Sequence, residues 1–386
     1  MTPELAALAL HSTPDLSKAD KYQFVDRVGG LAKLASARDA ELAQAGMNAA
    51  TRAIWRTNAD SGFPDDLEWT AAHHHTLLTL DHPAYPEAFR ALADAPIVLW
   101  AIGDLDLLAP AKIALVGSRN PTRTGEESAR AFAATLAQHG LGVVSGLASG
   151  IDTAAHRGAL DVDGMTVAVI GTGADRVYPA TNRALAHEIA EKGLVLSEFP
   201  LGSPPRQHHF PQRNRLISAL STGVLVVEAT VRSGSLITAR LAGEQGRAVM
   251  AIPGSIHNPM ARGCHRLIRE GARLVESCDD VLEEIGPMLA THTEVSEDQT
   301  SASKASTHDE AIPEQDSAAE MPRAHRALLD CLDYDPLGVD ELVERSGEPI
   351  EHVSSMLLLL ELGGHIKREK DGRFSRRTAT SGTIDA

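Results

Sequence analysis

Arginine residues are concentrated in one segment of an otherwise acidic chain. Residues 203–273 contain ten Arg, no Lys and three acidic residues, a local balance of +7, whereas the 386-residue chain carries a formal net charge of −16. The planar guanidinium group can bind two phosphate oxygens at once, and a cationic surface attracts polyanions. This arginine-rich segment therefore predicts a phosphate-bearing ligand such as nucleic acid, with a solvated basic face as the alternative.

The sequence HHFPQRNRLISALS (208–221) is the most specific part of the arginine-rich segment. Pro211 suits the first turn of a helix, where anions bind to free backbone N–H groups. Arg213 and Arg215 are two residues apart, which corresponds to roughly 200° of helix rotation, so they cannot face the same way. We expect Arg213 to bind the ligand and Arg215 to face the protein. Phe210 suits either stacking on a nucleobase or packing as a hydrophobic staple.

Three loops form the second group of candidates. Glycine lets backbone N–H groups approach an anion closely, and a following helix contributes its positive N-terminal dipole. VGSR (116–119) and SGLASGIDTAAHRGAL (145–160) follow apolar runs, and SGS (233–235) adds hydroxyl groups. In the second loop we expect Asp152 or Thr153 to cap the helix, and His156 to be a polar helix residue and not a base. The predicted DNA- or phosphate-binding residues are Gly117, Ser118, Arg119, Ser145, Gly146, Gly150, His209, Phe210, Arg213, Asn214, Arg215, Ser233, Gly234, Ser235, Arg262 and Arg266.

The sequence GTGADRVYP (171–179) partly matches a dinucleotide-binding fingerprint. Arg176 occupies the third glycine position, and the loop continues into Tyr178-Pro179 instead of opening a helix. Glu198 could serve as the ribose-binding acid, but the two departures argue against classical NAD binding. We therefore predict no cofactor, no metal and no catalytic residue.

The elements that must position these loops are seven predicted strands separated by helical patterns such as Glu126–Gln138 and Thr181–Glu191. Alternation of this kind is typical of an α/β fold, a parallel sheet covered by helices on both faces, in which ligands bind beyond the carboxyl ends of the strands. The predicted strands are Ile97–Leu99, Ile113–Val116, Gly142–Val144, Val167–Ile170, Leu194–Leu196, Val224–Val227 and Ala248–Ile252.

Segments of different composition flank this sheet domain, which we place at residues 76–289. Residues 1–75 are predicted to form short helices, including the run 29–47. The acidic stretch 290–321 lacks the apolar residues needed for folding and is predicted to be a disordered linker. Residues 322–378 are predicted to form a winged helix with helices at Arg323–Leu332, Val339–Arg345 and Ile350–Leu362. A hairpin then follows, formed by His365–Glu369 and Arg373–Arg376 around Asp371-Gly372.

Composition excludes several classes of protein. The chain is 43% hydrophobic and 4% aromatic, as in a globular protein with an aliphatic core. No apolar run approaches the roughly 18 residues that span a bilayer, and the N-terminus lacks the basic region of a secretory signal. Cys264, Cys278 and Cys331 are odd in number and lack C-x-x-C spacing, so neither a disulfide framework nor a zinc site is expected. We expect a cytoplasmic location.

Seven blocks of this sequence, in order, resemble the family of the DNA-processing protein DprA, also called Smf. The resemblance implies an extended Rossmann-like domain flanked by an N-terminal helical, SAM-like domain and a C-terminal winged helix. It also implies a homodimeric mediator that binds and protects single-stranded DNA during natural transformation or DNA repair. Such a mediator would help to load the RecA recombinase, with single-strand-binding protein as a further partner. The blocks are GSR (117–119), SGLASGIDTAAHRGAL, GTGADRVYPATN, SEFPLGSPPRQHHFPQRNRLISALS, SGSLITA, IPG and RGCHRLIREGA.

Two alternatives use the same style of domain. One is a nucleotide phosphoribohydrolase of the LOG type, whose PGGxGTxxE pattern supplies a carboxylate for the chemistry. The corresponding loop here reads SGSLITA and places Thr238 at that position, which leaves no obvious acid–base group. The other is a sensor that binds a free nucleotide in the same pocket.

Overall fold

The computed structural model describes residues 1–293, 323–332, 336–362, 365–369 and 373–376. The chain begins with a group of six helices, as predicted. The run 29–47 forms two of them, because Ala37 and Arg38 are extended and the Arg38 N–H donates to the Glu41 carboxylate at 2.7 Å, which starts a new helix. The six are α1 (Pro3–His11), α2 (Lys18–Val28), α3 (Leu31–Ser36), α4 (Asp39–Gln44), α5 (Ala49–Ser61) and α6 (Pro64–Thr70).

A nine-stranded sheet forms the centre of the protein. Its spatial order is first, second, sixth, fifth, fourth, third, seventh, eighth and ninth strand. The strands are β1 (His75–Thr79), β2 (Val98–Gly103), β3 (Lys112–Val116), β4 (Gly142–Ser145), β5 (Thr166–Gly173), β6 (Leu194–Phe199), β7 (Gly223–Val226), β8 (Ala248–Ala251) and β9 (Arg273–Leu274).

The predicted parallel arrangement is confirmed for the seven strands that are consecutive in space, β6, β5, β4, β3, β7, β8 and β9. It is wrong for β2. β2 runs antiparallel to β6, and β1 runs antiparallel to β2. A short apolar run indicates a buried strand but carries no information about the direction of its neighbour. The prediction also missed β1 and β9. The five residues of β1 mix polar and apolar side chains, and β9 has only two residues.

Eight helices follow or separate these strands: α7 (Glu87–Arg90), α8 (Arg123–Gln138), α9 (Ile151–Leu160), α10 (Arg183–Lys192), α11 (His209–Ala219), α12 (Ser235–Glu244), α13 (Arg262–Arg269) and α14 (Cys278–Thr293). Side chains of β3 alternate between the two faces. Ile113 and Leu115 share a core with α8 and α9, whereas Ala114 and Val116 pack in the core that contains α11 and α12. Both faces of the sheet are therefore covered, as predicted.

The chain order reverses at β3, whose neighbours are β4 on one side and β7 on the other. Loops leaving β3 and β7 therefore diverge and open a crevice at the carboxyl ends of the strands. This edge holds the loops that the sequence analysis selected.

The C-terminal part has the predicted winged-helix elements: α15 (Arg323–Cys331), α16 (Val339–Ser346), α17 (Ile350–Leu362), β10 (Ile366–Arg368) and β11 (Phe374–Arg376). The two strands pair antiparallel, and a separate apolar cluster that includes Leu328, Leu342 and Leu357 forms their core with the helices. Residues 290–293 of the predicted linker belong to α14, whereas 294–321 and the Asp371-Gly372 turn lie outside the described residues. No helix in the described part of the chain is long and apolar enough to cross a membrane.

Candidate nucleic-acid interface

A cavity of about 570 Å³ lies at the carboxyl edge of the sheet. It is bounded by the loop after β3, the start of α11 and the start of α12. Eight of the predicted site residues line it, although they come from three separate parts of the sequence. They are Gly117, Arg119, Phe210, Arg213, Asn214, Ser233, Gly234 and Ser235.

Three flat side chains form a cluster at this cavity. The Arg119 guanidinium carbon lies 5.1 Å from the centroid of the Phe210 ring, and the Tyr178 ring lies 5.7 Å from Phe210, tilted by 41°. Arg119 is exposed, and Tyr178 is 46% exposed. Aromatic rings and guanidinium planes are the surfaces on which single-stranded bases stack. The half-buried Phe210 ring lines the cavity, and its predicted stacking on a nucleobase stays a prediction.

Sequence reasoning missed Tyr178 as a site residue. Its loop, 171–179, was considered only as a dinucleotide fingerprint. The available signal was its position, because this loop follows β5 and must emerge at the same edge as the loop after β3.

Arg213 lines the floor of the cavity and is only 3% exposed. One of its terminal nitrogens donates to the carbonyl oxygen of Val169, and its Nε has no partner among the described residues. Burial lowers the pKa of Arg213 to about 10, Asp152 opposes this shift and Arg119 adds to it. Arg213 therefore stays protonated at neutral pH. Its positive charge is buried in the floor of the cavity and does not project into solvent.

Two amides of the glycine loop at 145–150 donate to a carboxylate of the protein. Asp152 is 7% exposed, and its carboxylate accepts the N–H groups of Gly146 at 3.1 Å and Ala148 at 3.3 Å. The cap predicted from Asp152 or Thr153 is also wrong, because Gly150 is the N-cap and has no side chain. Burial raises the pKa of Asp152, while Arg213 opposes the rise.

Gly146 and Gly150 instead allow close packing. A Cβ on Gly146 would lie 1.8 Å from an Arg213 terminal nitrogen, so its absence makes room for the guanidinium. Gly150 has φ +77°, and a Cβ there would meet the Ser118 carbonyl oxygen at 2.5 Å. These two glycines therefore allow the loops to pack closely. The Gly146 N–H is taken by Asp152, whereas the predicted contact of Gly150 with phosphate stays a prediction.

Several other predicted residues are already engaged by the protein. Ser145 is fully buried and donates to the Leu115 carbonyl at 2.7 Å. Ser118 Oγ accepts the Asn120 N–H at 3.1 Å. His209 is 8% exposed, and its Nδ1 lies 3.1 Å from the Gly171 carbonyl oxygen. None of these three residues lines the cavity. The complete burial of Ser145 argues against its predicted contact with a phosphate, whereas the contacts of Ser118 and His209 stay predictions.

Arg215 faces the protein, as expected from its separation from Arg213. Its side chain is 9% exposed and forms ion pairs with Glu198 at 2.5 Å and Asp94 at 2.7 Å. The predicted contact of Arg215 with DNA is therefore wrong, and its role is to anchor α11. His156 is likewise fully buried, with its Nδ1 2.7 Å from Thr166 Oγ1, so it is a core residue.

Several arginines of the arginine-rich segment are ion-paired at the surface. Surface acids neutralise Arg240, Arg266 and Arg273, at 3.4, 2.8 and 2.7 Å respectively. Arg262 is the first residue of α13 and Arg266 lies within the same helix, and neither lines the cavity. Among the described residues, the two arginines that line the cavity are Arg213, from this segment, and Arg119, from another loop.

One carboxylate lies in the described lining of the cavity. Asp152 is the only carboxylate among its described lining residues, and both of its loop contacts hold it against the protein. Thr238, at the position where the phosphoribohydrolases carry an acid, lines the cavity and is 1% exposed. Where the structure describes the chain, it contains no group of three or more His, Cys, Asp or Glu arranged to hold a metal ion.

Comparison with known proteins places this chain among DNA-processing proteins. The sequence profile of DNA recombination-mediator protein A matches residues 76–286, and that of the DprA winged helix domain matches residues 312–372. Protein Smf of Escherichia coli is 40% identical over 314 residues, which cover 81% of this chain and 80% of Smf. The DNA processing protein DprA of Streptococcus pneumoniae is 51% identical over 200 residues, which cover 52% of this chain and 71% of the relative.

Solved structures agree with the sequence matches. The X-ray structure of Streptococcus pneumoniae DprA superposes with a TM-score of 0.62 at 38% identity and covers 74% of this chain and 98% of that one. A Helicobacter pylori DprA structure is described for its single-stranded DNA binding mode. It superposes with a TM-score of 0.50 at 33% identity and covers 56% of this chain and 98% of that one. The resemblance found in the sequence is confirmed: the chain belongs to the DNA recombination-mediator protein A family, also called DprA or Smf, whose role is in DNA processing and recombination.

Proposed function

We propose that this chain binds single-stranded DNA across the cavity at the carboxyl edge of the sheet. The observation that carries the proposal is the cluster in which the exposed Arg119 and Tyr178 contact the half-buried Phe210 ring, beside the buried Arg213 guanidinium. A base can stack on the rings while its phosphate contacts Arg119, and Arg213 adds positive potential from below. Every base has a flat face, so binding of this kind does not depend on sequence.

Single strands suit the cluster better than a duplex does. The rings can stack only on bases that are unstacked from their neighbours, as they are in a single strand. The Helicobacter pylori relative, whose structure is described for its single-stranded DNA binding mode, supports the same choice.

The binding experiment compares Arg119→Ala with the wild type in a titration of a fluorescent oligothymidine strand. Loss of one charged contact to phosphate should weaken binding about tenfold. It should also reduce the dependence of log K on log salt by about 0.7. Arg38→Ala is the matched control, because Arg38 is an exposed, ion-paired arginine of the N-terminal helices that does not line the cavity. Equal affinities for the Arg119 variant and the wild type would contradict the proposed site.

We further propose that the bound strand is passed on and not stored. The cavity offers two rings, and base–aromatic stacking contributes only about 1–3 kcal/mol per base. Contacts to phosphate leave the base edges free for pairing. The protein would protect incoming single strands in the cytoplasm, act as a homodimer and help to load RecA, in natural transformation or DNA repair.

RecA ATPase activity on strands coated with single-strand-binding protein tests this mediator role. The wild type should shorten the lag before RecA activity, and Arg119→Ala should not. No acceleration at saturating protein would leave a DNA-binding protein without the mediator function. Release of a base from nucleoside monophosphates would instead support the phosphoribohydrolase alternative.

A further inference from the structure

Glu198 is a buried carboxylate with a cation on each of its oxygens. It is 2% exposed near the end of β6, and it accepts hydrogen bonds from Arg215 Nη2 on Oε1 and from Lys18 Nζ on Oε2, both at 2.5 Å. Arg215 belongs to α11, and Lys18 is the first residue of α2. This carboxylate therefore joins the N-terminal helices to the helix that carries Phe210 and Arg213.

Arg215 is shared between two acids. Its Nε donates to the Asp94 carboxylate at 2.7 Å, and its Nη2 also donates to the Asp94 carbonyl oxygen at 3.0 Å. Lys18, Arg215, Glu198 and Asp94 thus form a neutral network of two cations and two acids. Without Lys18, Arg215 alone would donate to both carboxylates, and Oε2 of the buried Glu198 would lose its hydrogen-bonded cation.

Lys18 also supports the first turn of α11 by a second route. Its Nζ lies 5.2 Å from the centroid of the Phe199 ring, and that ring stacks on His209 at 4.0 Å with an interplanar angle of 18°. His209 is the first residue of α11 and directly precedes Phe210. Both routes from Lys18 therefore end on the helix that forms one wall of the cavity.

We propose that Lys18 is a positioning residue for DNA binding, through which the N-terminal helices fix the rotation of α11. This inference rests on the proposed function. The ion pairs of Arg215 set the direction in which the residues on the opposite side of α11 point, Arg213 among them. Lys18 itself does not line the cavity, so it acts through Glu198. The N-terminal helices are thereby part of the binding apparatus.

The experiment compares Lys18→Met with Lys18→Arg in the same oligothymidine titration. Removing the charge should weaken binding about tenfold, while Lys18→Arg, which keeps the contact with Glu198, should stay within about twofold of the wild type. Lys33→Met is the matched control, because Lys33 is an exposed lysine of the same helical region and does not line the cavity. The salt dependence should be unchanged in Lys18→Met, because Lys18 contacts no phosphate.

A double-mutant cycle with Glu198→Gln separates positioning from direct contact. Once the carboxylate is neutral, Lys18→Met should have little further effect, since no buried charge is left unpaired. The comparison of Glu198→Gln with the double variant stays informative even if Lys18→Met alone folds poorly. Wild-type affinity in Lys18→Met, an undiminished loss in the Glu198→Gln background, or a salt slope reduced by about 0.7 would each overturn the proposal. Failure of the wild type itself to bind the strand would instead refute the proposed function.

Discussion

The Arg119 guanidinium lies over the Phe210 ring, with 5.1 Å between its central carbon and the ring centroid. The two residues are 91 positions apart in the sequence and meet because the loop after β3 and the start of α11 share one edge of the sheet. In the proposed function, cation and ring together bind one nucleotide, with the phosphate at the guanidinium and the base on the ring.

Truncation of the rings should weaken single-strand binding without changing its salt dependence. Phe210→Leu and Tyr178→Leu each remove a stacking surface worth about 1–3 kcal/mol, which is roughly 5- to 150-fold in affinity. Phe210→Tyr keeps the ring and serves as the control. The measurement is an oligothymidine titration at several salt concentrations. A changed salt slope with an unchanged affinity would contradict a stacking role.

Gly146→Ala should displace the Arg213 guanidinium, because the new methyl group would lie 1.8 Å from its terminal nitrogen. Overpacking of this kind costs about 1–3 kcal/mol of stability, and DNA binding should weaken as well. Gly243→Ala is the control. Gly243 lies within α12, and a Cβ there would be 3.9 Å from Val249, which is an ordinary van der Waals contact. Urea unfolding compares the variants. Equal stability of the wild type and Gly146→Ala would show that Arg213 does not need this space.

Stability should fall in mild acid because of His156. Burial, with a further contribution from Arg213, lowers the pKa of His156 from 6.5 to about 3. Between these values the unfolded chain binds a proton that the folded chain does not, so stability decreases as the pH falls below 6.5, by about 1.4 kcal/mol per pH unit. His156→Gln should reduce the slope of unfolding free energy against pH, whereas His139→Gln, at an exposed position, should not. Parallel slopes for both variants and the wild type would refute this assignment.

Truncation after Thr293 should preserve single-strand binding. The winged-helix elements form their own apolar core, and none of their residues lines the cavity. A thermal unfolding curve shows whether the truncated protein folds, and the oligothymidine titration gives its affinity. A folded but non-binding truncation would show that the winged helix contributes to the interface.

The sequence alone determined the classes of element and the edge of the sheet at which to look. Short β-branched runs separated by helical patterns are local signals, so β3 to β8 and the winged helix were predicted near their observed bounds. The opposite orientation of Arg213 and Arg215 also followed from helix geometry, because 3.6 residues per turn apply to any helix.

Tertiary structure decided which of the predicted residues face the ligand. The arginine-rich segment is one block in the sequence, but the fold pairs Arg240, Arg266 and Arg273 with acids and turns Arg215 inward. Gly146 has the sequence context of a phosphate loop. Its N–H nevertheless donates to the Asp152 carboxylate, and the Arg213 guanidinium occupies the space where a Cβ would lie. Tyr178 becomes a candidate site residue only because β5, β3 and the start of α11 meet at the same edge of the sheet. Charge and glycine content are local properties, whereas exposure and partners depend on contacts between distant segments, and only the folded chain fixes those contacts.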